Sequence, residues 1–106
     1  MKKNIKLIKK INDMILEIHI NTKNITEEEF YNNTKLSNTC IDYIFKINTF
    51  INSLDKQIKE KYNNINWNII QNNMYYDEIF KESIKLNKVW ILSNELLYTE
   101  LYLKLK

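Results

Sequence analysis

Few side chains in this sequence could carry a reaction, and they stand far apart. There is one histidine, His19, and one cysteine, Cys40. A nucleophile needs a base within reach, and neither residue has an evident partner nearby in sequence. Phosphodiester cleavage needs a proton acceptor tuned near neutrality and a cation on the phosphate. All 16 basic residues are lysines, so the planar fork that grips phosphate or base edges at two points is missing. Carboxylates gather in two places. Thr26-Glu27-Glu28-Glu29 reads as a capping box, with Thr26 as N-cap and acids over a helix N-terminus, so a metal site is not invoked there. Tyr75, Tyr76, Asp77, Glu78, Lys81 and Glu82 form an acidic, tyrosine-bearing run of the kind enriched at protein interfaces. The reading assigns no metal and no cofactor.

The elements that must position these groups are helices. The chain has 106 residues, a single-domain length, and no linker or repeat divides 1–106. Gly and Pro are absent, which leaves Asn to make tight turns, with the pairs Asn32-Asn33, Asn63-Asn64 and Asn72-Asn73 as candidates. Ile5, Ile8, Ile11, Ile15 and Ile18 recur at helical steps and predict a first helix over about 3–19. His19 falls at its end, where the helix dipole favours an imidazolium. After the capping box, Cys40, Ile44, Ile47, Ile51, Leu54 and Ile58 alternate by four and three residues. That spacing is a helix–helix seam, within the chain or between subunits. Cys40 lies on it as a small core residue. Phe30, Tyr31 and Leu36 extend it upstream across a bend near Asn32-Asn33. A charged, Asn-rich loop over 59–66 precedes a third helix from Trp67 to about Phe80 or Lys81. A fourth carries Val89, Trp90, Leu92, Leu96, Leu97 and Leu101 toward the C-terminus. The fold class is all-α, an antiparallel bundle of four to five helices.

Net charge is +3. Lysine-only charge argues against sequence-specific nucleic-acid binding and leaves weak backbone attraction through Lys2, Lys3, Lys6, Lys9 and Lys10, or none. A single cysteine makes no internal disulfide, no run of 18 apolar residues offers a membrane span, and the N-terminus is not a signal peptide. These readings place the chain in the reduced cytoplasm, away from membranes.

The order of features then resembles a known family. Glu-Glu-Phe before a long helix, Ile-Asn-Thr-Phe within it, a Lys-Tyr loop, Asn-Trp-x-x-Ile and a distant Val-Trp are similar to HepT-like proteins of the HEPN superfamily. These are helical ribonuclease toxins, usually encoded beside a nucleotidyltransferase antitoxin. The resemblance runs over nearly the whole chain and is anchored on Trp67 and Trp90. Its working motif is Arg, four residues, His, one residue, Tyr, in a cleft at a dimer interface. The Tyr is where the antitoxin adenylylates. Counted from Trp67, those three positions are Met74, Ile79 and Lys81, and the same count places the second tryptophan at Trp90. The Ile-Gly-Glu-Ala of the long helix corresponds to Ile47, Asn48, Thr49 and Phe50, without its carboxylate. The missing amino-acid types have GC-rich codons, but His and Tyr do not, so codon drift alone does not explain positions 79 and 81.

On this resemblance the chain is expected to be catalytically inactive and to act by binding protein. The most specific version is an inhibitor of a HEPN-type ribonuclease, such as an RNA-targeting CRISPR effector, through an interface at Tyr75–Glu82. The alternative is a toxin–antitoxin component: a ribonuclease toxin with atypical residues, or a pseudo-toxin subunit that dimerises with an active relative or itself.

Overall fold

The computed structural model of the protein describes residues 2–73 and 85–105, and all regular structure among them is helical. Helix α1 spans Lys2–Thr22, α2 Glu27–Asn32, α3 Thr34–Asn52, α4 Lys56–Lys61 and α5 Ile69–Asn73. The last rod begins as α6 (Leu86–Ile91), continues through a π-helical stretch (Leu92–Tyr102) and ends as α7 (Leu103–Leu105). Helix α1 is the central element, packed against both α3 and the π-helical stretch. Ile11, Ile15 and Ile18 of α1, Cys40, Ile44, Ile47 and Ile51 of α3, and Leu92, Leu97 and Leu101 of the rod are buried together. The Cys40–Ile51 stripe is therefore an internal seam. β-branched isoleucines are held helical by this burial rather than by propensity.

Polar contacts fix the directions. Asn4, near the start of α1, donates from Nδ2 to the Asp55 carboxylate at 3.0 Å, and the Asp55 backbone N–H donates back to Asn4 Oδ1 at 3.2 Å. The start of α1 thus meets the end of α3. At the other end, Thr22 Oγ1 lies 2.9 Å from the Ile18 carbonyl and 3.2 Å from the Ser93 carbonyl, and Asn94 Nδ2 donates to the Thr22 carbonyl at 3.1 Å. Both neighbours of α1 therefore run antiparallel to it.

Three details differ from the sequence reading and one is kept. Asn4 takes the inward place at the start of α1, 5% exposed, while Ile5 is 65% exposed. The capped Asp55 needs an inward-facing amide there, and the isoleucine turns out. The bend at Asn32-Asn33 is a double cap. Asn33 closes α2, and its Oδ1 accepts from Leu36 N–H at 3.0 Å to open α3. No described residue has positive φ, so Asn works here by capping and not by left-handed backbone. The long helix ends at Asn52; Ile58, read on the same stripe, falls on α4, which also takes in residues 59–61 of the expected 59–66 loop. The predicted capping box is present: Glu29 N–H donates to Thr26 Oγ1 at 3.1 Å and Thr26 N–H to Glu29 Oε1 at 3.0 Å.

The π-helical stretch was not anticipated. Val89, Ser93, Leu97, Leu101 and Leu105 are all buried, every fourth residue. On an α-helix of 3.6 residues per turn, such a stripe drifts roughly 40° round the axis at each step. A wider turn with i→i+5 hydrogen bonds swings it back. Eleven residues of π-helix between α-helical ends keep the stripe facing α1.

Candidate functional site

Met74, Tyr75, Tyr76, Asp77, Glu78, Ile79, Lys81 and Glu82 lie outside the described residues. The structure describes what flanks them. Helix α5 delivers the chain as far as Asn73, with Ile69 and Ile70 buried against the core, and Lys85 opens α6 on the far side.

The two tryptophans that frame this interval are packing residues. Trp67 is half-buried, and its Nε1–H donates to the Lys59 carbonyl at 3.1 Å, which ties the loop after α4 back onto that helix. Trp90 sits with its ring 5.2 Å from the ring of Phe30, a fully buried residue of α2. An aromatic pair at that separation, tilted by 48°, adds to the area it buries. It also fixes α2 on α6.

That docking leaves apolar side chains outside. Tyr31 is 37% exposed, Leu86 38% and Ile91 37%, on the neighbouring elements α2 and α6. Glu27, Glu28 and Glu29 are also exposed on α2. The Tyr31 hydroxyl donates to the Glu27 carboxylate, and this bond raises the phenol above its ordinary value. Tyr43 on α3 is raised in the same direction by the charge of Glu17. Both phenols stay protonated, with the Tyr31 hydrogen engaged by Glu27.

The remaining reactive residues are spoken for. His19 is half-buried and stacks face to face on Tyr98, with ring centres 4.0 Å apart and planes within 7°; Tyr98 stacks in turn on Tyr102 at 5.1 Å. The sequence placed His19 at the helix end, but α1 runs on to Thr22, so the ring lies one turn inside it. Its buried Nδ1 has no hydrogen-bond partner among the described residues. Cys40 is 1% exposed, and burial pushes its thiol up, with the nearby Ser93 hydroxyl opposing this. No group of three or more metal-ligating side chains occurs among the described residues. No described helix is long and apolar enough to cross a membrane.

On α3, Ile47, Thr49 and Phe50 have structural employment. Ile47 is buried, and Thr49 Oγ1 donates to its own helix at the Phe45 carbonyl, 3.0 Å away. Phe50 lies under Lys10, whose Nζ is 5.6 Å from the ring centre. Asn48 carries a buried Oδ1 without a partner, as does Asn12 on α1. The chain matches no protein-family model, no curated protein and no solved structure.

Proposed function

We propose that this chain is a catalytically inactive helical protein of HEPN-like ancestry that acts by binding another protein. Its target on this reading is a HEPN-type ribonuclease, such as an RNA-targeting CRISPR effector or a HepT relative in a toxin–antitoxin pair. The observation that carries the reading is the exposed Tyr31 among the carboxylates of α2, with Leu86 and Ile91 also exposed on the neighbouring α6. Lys85 and Leu86 follow the acidic Tyr75–Glu82 segment after Ser83 and Ile84, so the two features lie close along the chain. Apolar anchors and carboxylates together suit a partner whose own surface is built to hold phosphate. The absence of arginine and the stacking of His19 on Tyr98 support the loss of ribonuclease chemistry.

The test is co-elution with a HEPN ribonuclease, comparing the native chain with Leu86→Glu/Ile91→Glu and with Asp77→Lys/Glu78→Lys/Glu82→Lys. Native complex formation, with loss in both variants and unchanged thermal unfolding, is the expected result. Complexes that survive both variants would assign binding to another face.

A further inference from the structure

In sequence, the lysines at the start of α1 offer weak backbone attraction or none. The fold adds to them. The reciprocal Asn4–Asp55 hydrogen bonds and the Lys3–Asp55 ion pair at 3.6 Å seat the first turn of α4 against the first turn of α1. Helix α4 contributes three further lysines, Lys56, Lys59 and Lys61, to the same end of the bundle. Eight lysines in α1 and α4 stand against four carboxylates, Asp13 and Glu17 of α1 with Asp55 and Glu60, an excess of four. Five of the eight, Lys2, Lys6, Lys10, Lys59 and Lys61, make no ion pair among the described residues. The Trp67–Lys59 hydrogen bond also holds a run of exposed asparagines, Asn63, Asn64, Asn66 and Asn68, beside α4.

We propose that this basic end, built by α1 and α4 together, binds the phosphate backbone of single-stranded nucleic acid without sequence preference. Lysine supplies point charges that neutralise phosphates but carries no planar fork for reading base edges. Asparagine amides offer neutral donors to phosphate and sugar oxygens. A membrane surface fits less well. The apolar face of α1 is consumed by the core, and Ile5 is the one large apolar side chain of that helix's basic half left exposed above half its area. The surface lies on elements separate from the Tyr31–Leu86–Ile91 face, so it stands or falls apart from the proposed protein interaction.

Each neutralised phosphate on a single strand contributes about −0.7 to the slope of log K against log salt. Five lysines give a slope of about −3.5, a loss of roughly 100-fold between 50 and 200 mM salt. The experiment is fluorescence anisotropy of a labelled 20-nucleotide single-stranded RNA of mixed sequence, titrated with the full chain across that range. Micromolar to sub-millimolar binding with this slope, and equal affinity for a second unrelated sequence, is the expected result. Lys2→Gln/Lys6→Gln/Lys61→Gln together should bring the slope to about −1.4 while leaving the unfolding temperature unchanged. Absence of binding at 50 mM salt, or a native slope shallower than −1, would overturn the proposal. Sedimentation with phosphatidylserine-containing vesicles in the absence of RNA binding would overturn it equally, by giving the surface to a membrane.

Discussion

Ser93→Ala should make this protein more stable. Ser93 is 1% exposed on the inward stripe of the rod, and its Oγ has no hydrogen-bond partner among the described residues. Its neighbour is the Cys40 thiol, a weak acceptor while protonated. The contact that matters for the fold is made by the Ser93 backbone carbonyl, 3.2 Å from Thr22 Oγ1, and alanine keeps that carbonyl. A buried hydroxyl without a partner costs about 1–3 kcal/mol in desolvation, and alanine is the better helix former by a few tenths. Against this stands the lost dispersion of one oxygen atom, a few tenths in the other direction. The net gain is about 1–2 kcal/mol, which for a domain of this length raises Tm by roughly 4–12 °C. Thr22→Val is the control. It deletes a buried hydroxyl that is well bonded, to the Ile18 carbonyl at 2.9 Å, and should cost about 1 kcal/mol. Thermal and urea unfolding of the two variants beside the native chain decide the matter. If Ser93→Ala lowers Tm as Thr22→Val does, the hydroxyl is satisfied and the reasoning about this junction fails.

Three further outcomes follow from the packing. Leu97→Ala should cost about 2–5 kcal/mol and Ile5→Ala less than about 0.5 in urea unfolding, because the first is fully buried and the second faces water. The Asp55 carboxyl is held below its ordinary value by the Asn4 hydrogen bond and then by Lys3, so its contribution is present above the usual carboxylate range and lost as pH falls through the lowered value; Asn4→Ala should move its NMR titration back up, and an unchanged midpoint would contradict the assignment. Cys40 should resist alkylation in the native chain and react at a rate that rises with urea in step with unfolding, whereas prompt labelling in buffer would mean that its burial is transient.

The sequence made the all-α class legible because the stripes of α1 and α3 follow helical spacing and end in polar caps. The capping box at Thr26 and the core placement of Cys40 could be read directly, since each rests on neighbours within a few residues. What escaped was tertiary. Nothing local says that Asn4 will turn inward, because its reason, Asp55, lies 51 residues away. The same contact joins the lysines of α1 to those of α4, so the basic end is invisible along the chain. The π-helical stretch had a signal, the strict four-residue stripe from Val89 to Leu105. Ser93 masked it, a polar residue at an inward position. Of the candidate site, the packing roles of Trp67 and Trp90 were legible from their size, while the Tyr31, Leu86 and Ile91 face depends on how α2 docks on α6.

On the proposed reading this fold binds a ribonuclease and does no cleavage of its own. The deciding experiment titrates the chain into a HEPN ribonuclease assay with labelled RNA, beside a control containing the chain and RNA alone. Intact RNA in the control and a stoichiometric fall in cleavage in the titration are expected. RNA cut by the chain alone, or cleavage undiminished at a large excess of it, would contradict the claim.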